Sequence, residues 1–249
     1  MISKKQLIFF IIALALLAGF VVVGFKTSTP NTDTAEQQAI WPSREVEKVA
    51  VTDNSGYTSI SAEYPKTASD SITVYFKSFI DEQISQFKSD TSWVADQPDS
   101  AQAQALSLEI TYNSTQATNV QTYVFSVNLY TGGAHGMQIR KTFSFNKEGQ
   151  MLTISNVFTN GMDGLAGFSK LVQKELLTRE GVTADWVTDG AAPTEENYHS
   201  FIVNDDSVTI LFDPYQVAPY STGTVDISIP VKSFQKTANL SLFVLPATQ

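Results

Sequence analysis

The chain has 249 residues with 16 Lys+Arg against 25 Asp+Glu, a formal net charge of −9, and no cysteine. Disulfide scaffolds, thiolate metal sites, cysteine nucleophiles and a lipid-modified N-terminal cysteine are therefore excluded, and with two histidines, His135 and His199, so is a three-histidine metal centre. The acidic balance argues against a nucleic-acid partner, since phosphate binding draws its affinity from clustered Lys and Arg. At 43% hydrophobic residues the chain can bury a real core.

In chain order, the first signal is LIFFIIALALLAGFVVVGF, opened by Leu7 and closed by Phe25, without a charge or strongly polar side chain. A helix of this length matches a hydrocarbon core about 30 Å thick. Lys4 and Lys5 precede it and Lys26 follows it. The pattern predicts a single transmembrane anchor with a cytoplasmic N-terminus and the rest outside. The alternative is a cleaved signal peptide, which carries a shorter apolar run and a small-x-small cleavage site. Every acid lies beyond the anchor, so residues 27–249 carry 13 basic against 25 acidic side chains, a net of −12. Residues 27–50 begin TSTPNTDTAEQQ and are assigned to a flexible stalk.

Residues 57–65 alternate as a strand ended by Tyr64-Pro65. Over 69–88, Ile72, Phe76, Phe79, Ile80, Ile84 and Phe87 recur at helical steps, with Ser69 or Asp70 as cap. Residues 89–100 have loop composition. Three alternating strands follow, through Leu106–Ile110, Tyr123–Leu129 and Ile139–Phe145, which predicts an antiparallel meander with one buried face. A second amphipathic helix is predicted over 162–178. Strands return at 201–203, 207–212 and 224–229, with Asn204-Asp205-Asp206 as a hairpin turn. Strand groups broken by two helices predict an α+β fold, antiparallel sheet packed on two main helices, rather than alternating β-α units. The domain divisions are 1–26 anchor, 27–50 stalk, 51–150 and 151–249, the last two read as one compact unit.

The most unusual local composition is Tyr130-Thr-Gly-Gly-Ala-His-Gly136. Gly132 and Gly133 open positive φ and close backbone approach. His135 is then either a ligand-contacting or proton-transfer group, or a turn residue bonded to backbone. Asp213-Pro214-Tyr215, with Tyr220 five residues on, forms a proline-rich aromatic loop whose tyrosines supply ligand contacts or pin the loop to a sheet. Asp205-Asp206 lacks the spacing of a calcium loop, and the pairs Glu195-Glu196 and Asp81-Glu82 read as solvated faces. No nucleophile elbow, zinc-protease or phosphate-loop motif is present. The sequence predicts no metal and no cofactor.

Several stretches resemble a pair of bacterial extracytoplasmic modules. They are Ile60-Ser-Ala-Glu-Tyr-Pro65 before the long helix, Tyr130–Gly136 between two strands, Ile154-Ser-Asn-Val-Phe158 before the second helix, and Phe212-Asp-Pro-Tyr-Gln-Val-Ala-Pro-Tyr220 before a strand ending Ile227-Ser-Ile-Pro230. In this order they resemble a deacetylase-associated (DUF4163, PdaC-like) domain followed by DUF3298, as in the ectodomain of the lysozyme-sensing anti-sigma factor. The resemblance implies an α+β fold and a cell-envelope location, with a cell-wall glycan or a cationic wall-active protein such as lysozyme as partner. It departs from both relatives: only six residues precede the anchor, and no separate catalytic domain is visible. Binding is therefore expected over catalysis, through Tyr130, Gly132, Gly133, His135, Asp213, Tyr215 and Tyr220. The alternatives are a peptidoglycan-directed hydrolase using His135 and Asp213, or a purely structural envelope protein.

Overall fold

A computed structural model describes residues 41–55, 57–95 and 106–244. The expected membrane helix lies outside these residues; among the described residues no helix is long and apolar enough to cross a membrane. The fold is mixed α+β. A six-stranded sheet whose strands lie side by side in chain order precedes a three-stranded sheet, also in chain order.

The strand β1 (Glu45–Ser55) runs antiparallel to β2 (Thr58–Thr67). The segment assigned to stalk through residue 50 is thus strand from Glu45 on. Its signal is masked because Glu45, Glu47, Lys48 and Asp53 interrupt the valines, charges that suit an exposed sheet edge. From β2 the chain enters α1 (Asp70–Asp90) and returns in β3 (Leu106–Gln116), which pairs parallel with β2, Thr58 opposite Leu106. One β-α-β crossover therefore sits ahead of the expected three-stranded meander, in a sheet expected to be antiparallel. Ser69 is the cap residue of α1 but its hydroxyl bonds Ser71, not the helix backbone. Thr91 ends the helix, its N–H and hydroxyl both reaching the Phe87 carbonyl.

The predicted antiparallel meander is β3, β4 (Val120–Tyr130) and β5 (Met137–Asn146), closed by the two-residue β6 (Met151–Leu152). One face carries Ile110, Tyr123, Phe125, Phe143 and Phe145 against α1. Phe76 sits at the centre, its ring 4.9 Å from Tyr123, 5.4 Å from Phe125 and from Phe143, and 5.9 Å from Phe145. A meander with one buried face leaves its other face solvated, yet Thr122, Arg140, Thr142 and Ser144 are buried there too. Their polar groups find partners: Thr122 and Ser144 bond each other at 2.9 Å, and the Phe201 N–H donates to Thr142 Oγ1 at 3.0 Å. Alternation correctly gives the strand but not that its polar face is covered.

The second core is built by α2 (Met162–Leu176), the short α3 (Ala184–Gly190), β7 (Phe201–Val203), β8 (Ser207–Phe212) and β9 (Val225–Pro230). Leu165, Phe168, Val172 and Leu176 of α2 pack on Ile210, Phe212 and Ile227, with Tyr198 and Phe234 filling the ends. The seven-residue α3 adds to the two helices expected, being too short to give a periodic signal.

Candidate functional site

Two loops meet beside the start of β5. The first, 131–136, joins β4 to β5. Gly132 and Gly133 take φ of 102° and 117°, backbone open to glycine, and the Tyr130 hydroxyl donates to the Gly133 carbonyl at 2.8 Å. This folds the loop back on its own strand and leaves His135 exposed. The second loop, 213–220, leaves β8 and ends in a single 3-10 turn, Tyr220–Thr222. Buried Val217 and Ala218 anchor its middle. Gln216 fixes its shape, donating from Nε2 to the carbonyls of Gly190 at 3.1 Å and Asn197 at 2.9 Å.

The two loops converge on one carbonyl. His135 Nδ1 lies 2.9 Å from the Gly136 oxygen, and the Tyr220 hydroxyl donates to the same oxygen at 3.0 Å. A carbonyl only accepts, so Nδ1 carries the proton in this contact. Nε2 is 3.5 Å from the Tyr215 hydroxyl, a long polar contact. The His135 imidazole stacks on Tyr220 with centroids 4.0 Å apart and planes 21° from parallel, and Tyr215 lies 5.4 Å from Tyr220 at 31°. Tyr215 is the only non-glycine residue with positive φ among the described residues, at 69°.

Asp213 takes a different partner. Its Oδ1 accepts the Arg140 N–H at 3.0 Å and lies 3.5 Å from Arg140 Nε. Burial pushes its carboxyl up to about 6, with the Arg140 charge and hydrogen bonds acting in the opposite direction. Arg140 also reaches Asp226 Oδ1 at 2.6 Å and the Phe212 carbonyl at 2.8 Å. The structure thus brings together Tyr130, Gly132, Gly133, His135, Tyr215 and Tyr220. Among the described residues no hydrogen bond or ion pair joins His135 to Asp213, and no group of three His, Cys, Asp or Glu side chains is arranged to hold a metal ion. Sequence reasoning passes over Arg140, Gly190 and Gln216. Arg140 has one local signal: it is a charged residue on a strand face continued by Thr142 and Ser144.

His199 stands apart, its Nδ1 2.6 Å from the Glu196 carbonyl. Glu195 is exposed but accepts from the hydroxyls of Thr153 and Ser155, so it does more than face water. Asp205 is a turn residue that also ties the two sheets, its Oδ1 accepting the Thr118 N–H at 2.7 Å.

Comparison with known proteins places the second loop and its sheet. Residues 155–232 match the DUF3298 family. That family is described as a protein of unknown function. Over 188 residues the chain is 29% identical to the peptidoglycan-N-acetylmuramic acid deacetylase PdaC of Bacillus subtilis, covering 73% of this chain and 39% of that protein. The chain therefore spans about two fifths of this relative. Two crystal structures share the fold. A DUF3298 family member from Bacteroides fragilis has 18% identity and a TM-score of 0.53, over 79% of this chain and 95% of the other. Another from Pseudomonas aeruginosa PAO1 has 16% identity and a TM-score of 0.56, over 84% and 100%.

Proposed function

We propose that this chain is an extracytoplasmic cell-wall-binding module, tethered through residues 7–25 and contacting peptidoglycan glycan through the platform of Tyr215, Tyr220 and His135. The backbone of Tyr215 carries the reading. A side chain in the left-handed region costs on the order of 1–2 kcal/mol, and such strain persists where the surroundings over-determine it. Here it delivers a ring and hydroxyl to a half-exposed aromatic cluster, not to either core. Tyr123 and Tyr198, which do anchor the cores, are fully buried. Rings with an apolar face and a polar tip suit the mixed surface of a pyranose. The deacetylase relative is named for peptidoglycan, which supports the same choice of ligand.

The hydrolase reading is weaker. Both nitrogens of His135 face loop partners, Gly136 and Tyr215, and Asp213 is engaged by Arg140. Among the described residues no carboxylate hydrogen-bonds the His135 imidazole to orient it as a general base.

The test is retention of the detergent-solubilised full chain on purified peptidoglycan sacculi and, separately, on immobilised lysozyme, at low and moderate salt. Retention on sacculi that survives moderate salt is expected. Tyr215→Gly should relieve the backbone strain, leaving the melting temperature level or raised, while cutting retention about tenfold. Failure of the wild type to bind sacculi overturns the reading, and capture by lysozyme alone makes a cationic protein the ligand instead. A Tyr215→Gly variant that binds normally removes the platform from the interface.

A further inference from the structure

We infer that Arg140 is the positioning residue of this platform, holding the 213–220 loop against the β5 edge so that Tyr215 and Tyr220 meet His135. The inference rests on the platform being the binding surface, but its central readout does not. The outer edge of β5 is paired by β6 only at Ser144 and Phe145. At Arg140 the backbone groups are taken instead by side chains: the N–H by Asp213 Oδ1 at 3.0 Å, and the carbonyl by Ser200 Oγ at 2.7 Å. The guanidinium adds a contact at the same loop root, with one terminal nitrogen on the Phe212 carbonyl, while the other reaches Asp226 on β9.

Phe212 and Asp213 are the last residue of β8 and the first of the loop, and Asp213 lies two positions from Tyr215. Arg140 is itself four positions past Gly136, the carbonyl on which His135 and Tyr220 converge. One residue therefore ties the strand that begins at the histidine loop to the strand that ends at the tyrosine loop. Arg140 is only 9% exposed, and its Nε has no hydrogen-bond partner. A buried ion pair is a poor way to glue two sheets, because apolar residues of similar volume do as well or better. What the pair adds at this position is a fixed register between the two loops. Asp226, which is 52% exposed in its side chain and lies on β9, completes the charge without touching either loop.

The experiment uses the full chain in detergent, with three readouts: thermal unfolding, retention on purified sacculi, and the imidazole proton shifts of His135. With only two histidines in the chain, a His135→Gln spectrum assigns them. The Tyr220 ring 4.0 Å away should displace the His135 resonances by its ring current. Arg140→Met is expected to move them toward free-imidazole values and to lower retention about tenfold, with unfolding still cooperative. Asp213→Asn, which keeps an acceptor oxygen but loses the charge, should fall between, and Asp226→Asn should leave the His135 shifts in place. If Arg140→Met lowers the melting temperature with His135 shifts and retention unchanged, Arg140 is structural and the inference fails. Should that variant not fold, unchanged His135 shifts in Asp213→Asn overturn it equally. A wild type that ignores sacculi but shows the Arg140-dependent shifts would sink the proposed ligand and leave the positioning role standing.

Discussion

Asp213 combines burial, a cationic neighbour and a place at the root of the aromatic loop, which makes stability sensitive to pH at one residue. Its carboxyl is raised from 3.8 to about 6, chiefly by burial, so folding favours the protonated form. The stability this contributes is fully present below the unfolded value and is lost as pH rises through about 6. The interval corresponds to ~3 kcal/mol at most. His199 runs the other way. Burial first, then the Lys141 charge, lowers it from 6.5, so its contribution is present above that value and lost as pH falls through the lowered one. Because the two oppose each other, the wild-type profile alone is a poor measure. Denaturant unfolding of wild type and Asp213→Asn between about pH 4 and pH 8 isolates the carboxyl. The wild type should lose ground to the variant as pH rises through about 6, and parallel profiles would refute the assignment. At this scale much of the site is legible in the sequence. The glycine pair, His135 and the loop tyrosines stand out by composition, and they do meet. Arg140 and the strained backbone of Tyr215 do not, because burial of a polar face and the sign of φ arise from tertiary contacts.

Among the elements, α3 shows how a short helix can hold a loop in place. Its last residue, Gly190, approaches the platform loop so closely that a Cβ there would lie 1.8 Å from the Gln216 carbonyl oxygen. The obstacle is backbone, so it cannot swing aside as a side-chain tip would. Gly190→Ala should therefore displace the 213–220 loop and cost about 1–3 kcal/mol, read as a fall in melting temperature together with a change in the His135 shifts. Gly167→Ala is the contrast: it lies exposed within α2 with nothing near its Cβ. There the gain in helix propensity of about 1 kcal/mol should raise stability. Equal effects at the two glycines would refute the close-approach account. Long periodic elements such as α1, α2 and the β3-β4-β5 strands are readable because their apolar spacing is strong. β1 is not, since its charges suit an exposed edge, and the parallel pairing of β2 with β3 is invisible to periodicity, which reports faces and not neighbours.

At the scale of the molecule, the DUF3298 match and the folding unit do not coincide. Residues 155–232 hold most of the second core, but that core also takes in Val120 from β4 and, past the match, Phe234, Ala238, Leu242 and Phe243. The connections are specific as well as apolar. Asp205 accepts from Thr118, Asn119 donates to the Phe243 carbonyl, and the Arg140 side chain and backbone occupy Asp213, Asp226, Phe212 and Ser200. Cutting the chain at the second sheet would uncover the apolar surface that Val120 covers and take the Arg140 donors away from the Phe212 carbonyl and Asp213. A typical hydrogen bond contributes a net of about 0.5–1.5 kcal/mol, and a whole domain is stable by only ~5–15 kcal/mol. A fragment of residues 151–249 should therefore melt without a cooperative transition and bind a hydrophobic dye, whereas 41–249 should unfold in one sharp step. A sharp transition in the shorter fragment, near the melting temperature of the longer one, would mean that the polar seam along β5 joins two independent domains; its absence would mean that the second core needs the surface supplied by β4 and β5 in order to fold.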